Sequence, residues 1–519
     1  MDFLPYILLF FLVFSLILNY LYLSSKRNSL EIVRDMGIGY NLGNTFDSYE
    51  LLKEINTPEE QITLNGNTLP TKNMIKKIKK YGFKTIRFPV TWMHFIDDYG
   101  NIKFNWMNLI KEVVDLIINE NLYCILNVYN DGNYGNWLSW GIEAKDKYIN
   151  LWTQIANEFK DYNDYLIFES MDEAFFYNYE TFNFDYDLLH NFNQAFIDTI
   201  RNSGVNNIER LLIVAGAYEE LDMTCSSDYK IPVDPSNKLA VSIHYFNPKR
   251  FTRDFYFEPY SLIDNEGVEY YYEPTLSWGN LEEYFQIITD FEMINKIFVS
   301  KGIPIIISEA GVLTEQKKQL ESIREYLYIV FSISSDFDGI MSCLWDTSNK
   351  KFGDMNFYNR ENDSWFDEKL KENFIYISRG KYIKLKDFFI KTRFETVTMT
   401  YIQGGIELKI GNRKALKIIL NVRITGTLFI NANFNINSYD SNGNSFQIKF
   451  EKSDGKKQYD GTHIFSIDIS KIKCYNYIIV SKDPKLNQIK LNNLTVEFEE
   501  SFQSIDYKAF KASISNYIY

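Results

Sequence analysis

Between residues 30 and 380, short apolar segments of strand length alternate with longer segments whose apolar residues recur at helical spacing, as in Trp106 to Ile117. The eight candidate strands are Gly37 to Leu42, Lys84 to Pro89, Leu122 to Val128, Tyr165 to Ser170, Arg210 to Ala215, Leu239 to Tyr245, Pro304 to Ser308 and Gly339 to Leu344. This alternation predicts an α/β fold, the (β/α)8 TIM barrel, with functional side chains at the carboxyl ends of the strands.

After about residue 385 the pattern changes to short alternating strands separated by turn signals such as Asn442-Gly443. Candidate strands are Ala415 to Thr425, Thr427 to Phe434 and His463 to Ile469. A chain of 519 residues exceeds what one core usually holds. We therefore predict a second, smaller all-β sandwich domain over residues 390–505. Either a carbohydrate-binding module or a plain structural domain would fit this pattern.

Charge and cysteine usage exclude several classes of function. Acidic residues outnumber basic ones by 68 to 55, for a net charge of -13, which argues against nucleic acid as a partner. The four cysteines, Cys124, Cys225, Cys343 and Cys474, lie far apart, and the four histidines are equally scattered. This spacing indicates neither a disulfide framework nor a metal cluster, so we predict no metal and no cofactor.

Two of the candidate strands end in a carboxylate. The strand Pro304 to Ser308 is followed by Glu309, and the strand Tyr165 to Ser170 contains Glu169 and is followed by Met171-Asp172-Glu173. The carboxyl ends of parallel strands meet at one rim of a barrel, so the two acids are expected to approach each other there. Paired carboxylates at such a rim point to glycoside hydrolysis.

Six segments carry a further pattern in a fixed order along residues 30–380. They are Ile38 to Asp47, Thr85 to Trp92, Leu166 to Glu173, Val241 to Tyr245, Ile305 to Gly311 and Leu344 to Asp346. Together they resemble the ordered motifs of family 5 glycoside hydrolases, the endoglucanase (cellulase) group. The resemblance implies a retaining β-glycosidase on a (β/α)8 barrel, with the acid/base after the fourth strand and the nucleophile after the seventh.

The resemblance also implies individual roles. Glu173 matches the acid/base and Glu309 the nucleophile, which in a retaining enzyme stand about 5 to 5.5 Å apart. Arg87 matches an arginine that would hold the nucleophile ionised, and His244 matches a histidine beside the acid/base. Trp345 matches the tryptophan that forms a platform under the sugar.

Five further residues complete the predicted contacts with substrate: Asn41, Tyr129, Asn130, Asp172 and Trp278. Trp278 belongs to a long insertion, Pro248 to Lys301, that is rich in aromatic residues. Aromatic residues make up 17% of the chain, so packing within the loop is an equally good interpretation of Trp278.

Three positions depart from the family pattern. Tyr129 or Asn130 stands where a histidine is expected, and Asp172 replaces the asparagine before the acid/base. The extra charge of Asp172 should raise the proton affinity of Glu173. Phe246 replaces a tyrosine whose hydroxyl would bond the nucleophile. Unless Tyr245 takes over, Glu309 should lose a hydrogen bond and become more basic.

Both predicted catalytic carboxylates nevertheless remain. We therefore predict an active but altered glycoside hydrolase that cleaves β-1,4-linked glucan, such as cellulose or a related β-glucan. The alternative is a membrane-tethered carbohydrate-binding protein that no longer turns over. Glutamate-to-glutamine variants discriminate the two.

The N-terminus carries an almost unbroken apolar run from Leu4 to Leu23, followed by Ser24-Ser25-Lys26-Arg27. At about 1.5 Å per residue this run matches the bilayer core. The acidic start and the lack of a small-residue cleavage site favour a membrane anchor over a signal segment at residues 1–25. We expect an extracellular enzyme or one anchored at the cell surface, although Lys26 and Arg27 favour the opposite orientation.

Overall fold

The computed structural model describes residues 27–48, 55–129, 144–174, 176–178, 183–253, 260–263, 269–272, 275–314, 318–348, 355–382 and 384, together with ten strands between 393 and 498. The chain divides into two compact units, residues 1–385 with 511–519, and residues 386–510. The boundary between them falls in the gap between the two predicted domain ranges.

Eight parallel strands close into a barrel in the first unit, which confirms the predicted (β/α)8 topology. They are β1 (Gly39–Asn41), β2 (Thr85–Phe88), β3 (Tyr123–Asn127), β4 (Leu166–Glu169), β5 (Leu212–Ala215), β6 (Leu239–Tyr245), β7 (Ile305–Ala310) and β8 (Ile340–Leu344). Each strand pairs with its neighbours in chain order, and β8 pairs with β1. Every residue of these strands is buried, as expected where helices cover a parallel sheet.

One strand extends beyond its apolar run. The predicted seventh strand stops at Ser308, but β7 continues through Glu309 to Ala310. The register with β6 shifts between Ile307 and Glu309, so that Glu309 pairs with His244. A bulge of this kind re-aims the side chains that follow it, and apolar periodicity gives no sign of it.

The described helices are α1 (Ser29–Met36), α2 (Pro58–Thr63), α3 (Lys72–Lys80), α4 (Phe104–Asn119), α5 (Ala144–Phe159), α6 (Tyr186–Asn202), α7 (Leu221–Thr224), α8 (Lys249–Thr252), α9 (Leu281–Ile297), α10 (Leu320–Asp336) and α11 (Glu368–Ser378). Local chemistry explains several of their starts. Asn28 with Glu31, and Asn280 with Glu283, form reciprocal capping boxes at α1 and α9. Asp185 caps α6 through a single hydrogen bond, which its side chain accepts from the Leu188 main-chain nitrogen.

Helix α1 covers the amino-terminal end of the barrel. Its Ile32, Val33 and Met36 join an apolar cluster with residues that point into the barrel from the strands, including Met341 and Cys343. The described cysteines, Cys124, Cys225 and Cys343, are free thiols, and burial raises the pKa of Cys343. Cys343 therefore packs as a small apolar side chain at this end of the barrel.

The long insertion between β6 and β7 contains α8, a hairpin of Tyr260–Ile263 with Glu269–Tyr272, and α9. Two smaller hairpins join Tyr177–Asn178 to Asn183–Phe184 and Tyr358–Asn359 to Ser364–Trp365.

The second unit contains two five-stranded antiparallel sheets. The strands are β9 (Arg393–Thr396), β10 (Met399–Ile402), β11 (Gly405–Lys409), β12 (Ala415–Ile424), β13 (Phe434–Tyr439), β14 (Ser445–Phe450), β15 (Lys456–Lys457), β16 (Thr462–Asp468), β17 (Asn476–Ser481) and β18 (Ile489–Phe498). One sheet has the order β9-β18-β12-β16-β15 and the other β10-β11-β17-β13-β14. Most of the predicted strand from Thr427 lies outside the described residues.

Within the described residues, no helix combines the length and apolarity needed to cross a membrane. The predicted anchor lies in residues 1–26, which are outside that range, and it stays a prediction.

We expect Gly39→Ala to lower the free energy of unfolding by about 1–3 kcal/mol, the usual cost of overpacking a core. A Cβ at Gly39 would overlap Sγ of Cys343 and approach Cε of Met341 to 3.0 Å. Urea unfolding of the full chain measures the effect. The matched control is the double variant Gly39→Ala/Cys343→Ala, which should be less destabilised than the sum of the single variants. Additive effects would contradict the contact.

Candidate active site

A fully buried guanidinium, that of Arg87 on β2, organises the carboxyl-terminal end of the barrel. Its Nε donates to Glu169 Oε2 at 2.7 Å, Nη1 donates to Glu309 Oε1 at 3.1 Å, and Nη2 bonds Asp172. Burial alone would lower the pKa of Arg87, but these three carboxylates raise it well above its ordinary value. Arg87 is therefore a fixed cation that connects β2 with β4 and β7.

Asn41 holds the same guanidinium from β1. Its Oδ1 accepts from Arg87 Nη1 at 3.1 Å, and its amide nitrogen donates to the main-chain carbonyls of Ser308 and Leu344. The side chain is fully buried, with both polar atoms engaged. This geometry gives Asn41 a structural role in holding Arg87, in place of the predicted contact with substrate.

Glu169, the last residue of β4, is a site residue that the motif analysis missed. It is fully buried, and Oε2 accepts from Arg87 and from Asn127 Nδ2 at 3.2 Å. Among the described residues Oε1 has no hydrogen-bond partner, and burial raises the pKa of this carboxyl group. The available signal was its position as the first acid after an apolar strand.

Glu173 follows β4 in a left-handed backbone conformation, with φ of 39°. Its side chain is one-third exposed, and Oε1 accepts a hydrogen bond from His244 Nδ1 at 2.9 Å. Arg253 Nη2 lies 3.4 Å from the same oxygen. Burial would raise the pKa of Glu173, but the hydrogen bond and charge of His244, together with Arg253, lower it to about 2.

Glu309 lies within β7 and is almost fully buried. Oε1 accepts from Arg87, while Oε2 lies 3.7 Å from His244 Nδ1 and 3.9 Å from Arg253 Nη2. Burial, with the negative charge of Asp172, raises the pKa of Glu309 to about 7. This direction agrees with the predicted increase in basicity, although the first cause is burial rather than a lost hydroxyl.

His244 on β6 stands between these carboxyl groups. Nδ1 faces Glu173 and Glu309, while Nε2 lies 3.3 Å from Glu219 Oε2 and 3.6 Å from Asp172 Oδ1. Burial opposes a charge on the imidazole, but Glu309 and Glu219 raise the pKa of His244 well above its usual value. The surrounding carboxylates therefore favour the imidazolium form of the ring, in which Nδ1 is a donor.

Glu219 is a second residue that the sequence analysis missed. It follows β5 in a short 3-10 helix (Ala217–Glu219), has φ of 49° and is fully buried. Oε2 accepts from the Glu173 main-chain nitrogen at 2.7 Å, and Oε1 bonds the Ser242 hydroxyl. Burial raises the pKa of Glu219 to about 8. No apolar pattern marks this turn, so only the fold reveals its role.

The expected rise in the proton affinity of Glu173 is outweighed by nearby cations. Asp172 is paired with Arg87, whereas Glu173 faces His244 and Arg253, so its pKa falls. The charge of Asp172 acts instead on Glu309 and Glu219, whose pKa values it raises. The side-chain directions around β4, which sequence spacing does not reveal, decide which carboxyl group responds.

Tyr245 does not replace the missing hydroxyl of Phe246. Its own hydroxyl donates to Asp290 at 2.9 Å, and both groups are buried. Successive residues of a strand point to opposite faces, so Tyr245 points away from His244, toward α9. The position near Glu309 is filled by Arg253, whose Cζ lies 3.6 Å from the centre of the Phe246 ring.

The aromatic candidates divide into two groups. Tyr129 and Trp345, both partly exposed, stack at a centroid distance of 6.0 Å with planes 8° apart. Trp278 is buried, with its ring 4.9 Å from Tyr284 and 5.4 Å from Tyr326, which is the packing alternative. The stacked pair borders the carboxylates, since the Arg87 guanidinium lies 5.9 Å from the Tyr129 ring. Asn130 lies outside the described residues.

Two sets of donors in this site are close enough to share a cation: Asp172, Glu219 and His244, and Glu173, His244 and Glu309. Both sets depend on His244, whose imidazolium form is favoured here. Asp172 already pairs with Arg87, and Glu219 accepts two hydrogen bonds. These atoms are therefore already engaged in hydrogen bonds and ion pairs with one another and with Arg87.

Comparisons with known proteins agree with this geometry. The family model for cellulase (glycosyl hydrolase family 5) matches residues 46–351. Endoglucanase A from Clostridium longisporum is 32% identical over 368 residues, covering 68% of this chain and 66% of that protein. Endoglucanase A from Paenibacillus barcinonensis is 35% identical over 302 residues, covering 54% and 72%. The chain thus spans about two thirds of the length of these relatives.

Among solved structures, a GH5-4 broad specificity endoglucanase from an uncultured bovine rumen ciliate is 51% identical. The TM-score is 0.66, and the match covers 69% of this chain and 99% of that one. The barrel, its buried acidic rim and these similarities lead to one conclusion: the chain belongs to glycosyl hydrolase family 5 and is an endoglucanase-like glycoside hydrolase.

Proposed function

We propose that this enzyme cleaves β-1,4-linked glucan with retention of the anomeric configuration, using Glu309 as nucleophile and Glu173 as acid/base. The observation that carries this proposal is the spacing of the two acids. A carboxylate oxygen of Glu173 lies within 4.8 Å of one of Glu309. Carboxyl groups about 5 to 5.5 Å apart belong to retaining enzymes, whereas inverting enzymes need about 6.5 to 9.5 Å.

The orientation of Glu309 supports its role as nucleophile. Arg87 donates a hydrogen bond to Oε1, while Oε2 faces His244 and Arg253. Oε2 is therefore the attacking atom. In the first step Oε2 bonds the anomeric carbon while the glycosidic bond breaks and Glu173 protonates the leaving oxygen. In the second step Glu173 removes a proton from a water molecule, whose oxygen bonds the anomeric carbon while the bond from that carbon to Glu309 Oε2 breaks.

The mechanism requires a proton on Glu173, and the charges of the site decide where protons lie before the reaction. Five carboxyl groups, those of Glu169, Asp172, Glu173, Glu219 and Glu309, face three cations, Arg87, His244 and Arg253. The pKa values of the buried Glu169, Glu219 and Glu309 are all raised, so these groups favour a proton, whereas the lowered pKa of Glu173 favours its charged form. The first chemical step needs the opposite distribution, with a proton on Glu173 and a charge on Glu309.

His244 can exchange these two states. Its Nδ1 lies 2.9 Å from Glu173 and 3.7 Å from Glu309. A proton given to Glu173 can be replaced by the one on Glu309, so Glu309 becomes charged and the imidazolium is restored. A sugar that excludes water from the one-third exposed Glu173 favours its neutral form and drives this transfer.

The substrate class follows from the relatives, which are named endoglucanases, and from the stacked pair Tyr129 and Trp345. An aromatic face beside the carboxylates suits the apolar face of a glucose ring. The alternative of a membrane-tethered binding protein without turnover has no specific observation in its favour among the described residues, because both carboxylates and Arg87 are in place.

We also propose that the enzyme acts outside the cell or at its surface, since polymeric glucan cannot enter and Leu4 to Leu23 forms an apolar run. Protease treatment of intact producing cells should remove the activity if the enzyme is anchored outside, and the culture medium should contain it if it is released. Activity found only after lysis would contradict this location.

For the second unit we propose that its two sheets stack as a β-sandwich. The support is the pair of five-stranded antiparallel sheets. A crystal structure of the full chain would show the sheets about 10 Å apart if this is correct.

We expect Glu309→Gln and Glu173→Gln each to lower kcat on carboxymethylcellulose by at least about 10³-fold, as for other residues that act as a unit in catalysis. Release of reducing sugar from carboxymethylcellulose, xyloglucan and mannan measures the effect, and NMR of the first product reports the anomer. Glu112→Gln, on an exposed glutamate of α4, is the matched control. Inverted product, or full activity in Glu309→Gln, would contradict the mechanism.

We expect kcat/KM to fall as the pH rises through about 7, where the Glu173/Glu309 pair loses its shared proton. Because the charge of Asp172 raises the pKa of Glu309, Asp172→Asn should move this alkaline limb to lower pH. The pH profile of kcat/KM is the measurement. Asp146→Asn, on an exposed aspartate, should leave the limb in place, and a shift to higher pH in Asp172→Asn would refute the assignment.

A further inference from the structure

The side chain of Arg253 enters the catalytic site from outside the barrel strands. Arg253 follows α8, and its main-chain nitrogen donates to Lys249 at 2.9 Å. Its guanidinium lies on the Phe246 ring, with Cζ 3.6 Å from the ring centre. Nη2 reaches both catalytic carboxylates, at 3.4 Å from Glu173 Oε1 and 3.9 Å from Glu309 Oε2.

The backbone that carries Arg253 is fixed by buried neighbours. Phe251 and Thr252 are fully buried, and the Thr252 hydroxyl donates to the Phe246 carbonyl. The Thr252 carbonyl accepts from the main chain of Leu313, just after β7, at 2.9 Å. These bonds connect the position of Arg253 to the two strands that carry His244 and Glu309.

Phe246 is what permits this contact. A guanidinium stacks favourably on an aromatic face, and here it does so only one-third exposed. The ring therefore serves as a support for the cation, although it has no hydroxyl to offer Glu309.

From these contacts we infer that Arg253 is a positioning residue for both catalytic carboxylates and takes the place of the hydroxyl that Phe246 lacks. The inference rests on the proposed roles of Glu173 and Glu309. A hydroxyl supplies one neutral hydrogen bond, whereas Arg253 supplies a permanent charge to two carboxylates at once.

Several other charged or titratable groups face the same carboxylates, and the pH response is the sum of their effects. They are Arg87 on β2, Tyr129 after β3, Asp172 after β4, Tyr218 and Glu219 after β5, and His244 on β6. Unlike the buried Arg87 and His244, Arg253 is partly exposed and lies outside the strands. It can therefore be replaced without removing a buried charge from the barrel rim.

The test compares Arg253→Met, Arg253→Lys, Phe246→Tyr and Arg253→Met/Phe246→Tyr in the full chain. The control is Arg250→Met, at an exposed position of α8. We expect Arg253→Met to lower kcat about tenfold or more with a smaller change in KM. Loss of the positive charge should raise the pKa of the carboxyl pair and move the whole profile of kcat/KM to higher pH. Arg253→Lys should return the profile toward the original.

The double variant separates a positioning role from a merely structural one. If Arg253 replaces a hydroxyl, Phe246→Tyr should recover part of the rate lost in Arg253→Met, so that the two changes are not additive. Thermal unfolding of each variant identifies any folding defect, which would appear in Arg253→Lys as well.

An unshifted profile in a folded Arg253→Met variant, or equal effects of Met and Lys, would overturn the inference. Such a result would leave the proposed function intact, because that function is tested separately, by the activity of Glu309→Gln and Glu173→Gln and by the anomer of the first product.

Discussion

The structure depends on one buried charge, the guanidinium of Arg87. An unpaired cation in the interior of a barrel is strongly destabilising, so Arg87 requires the carboxylates that surround it, and they require Arg87. Through Asn41, Glu169 and Glu309 it connects β1, β4 and β7 at the rim where the site lies. The same contacts that make the buried charge tolerable place the proposed nucleophile within reach of its partners.

The departures from the family pattern form a connected set of changes. Phe246 lacks a hydroxyl, and Arg253 lies on its ring and contacts both proposed catalytic carboxylates. Asp172 adds a negative charge, which Arg87 binds. At these two of the three departures, a charged group stands where the family pattern has a neutral one. A site held by charges has proton positions that respond to pH more strongly than one held by neutral hydrogen bonds, because each charge shifts the pKa values of its neighbours.

Sequence reasoning succeeded where a residue's role follows from its place on a strand. The eight strands, and the meeting of Glu173 and Glu309 at one rim, follow from apolar periodicity and strand order, and the resemblance to family 5 added Arg87 and His244 to that rim. It left side-chain directions open. Trp278 takes the packing alternative against Tyr326, and Asn41 turns to Arg87, because neighbouring elements decide which way a side chain points. Glu219 and Arg253 follow turns that have no periodic pattern.

The sequence by itself determined the alternation of buried strands and helices, and hence the barrel, because apolar periodicity is a local property of the chain. It also determined the rim to which the acids belong, because residues that directly follow parallel strands lie at the carboxyl-terminal end of the barrel. Only the tertiary structure decided how the charges are paired. The bulge that aligns Glu309 with His244, the left-handed turn at Glu219, and the reach of Arg253 to Glu173 and Glu309 bring together residues far apart in the chain. Electrostatic energy depends on distances between such residues, and these distances exist only once the barrel has closed.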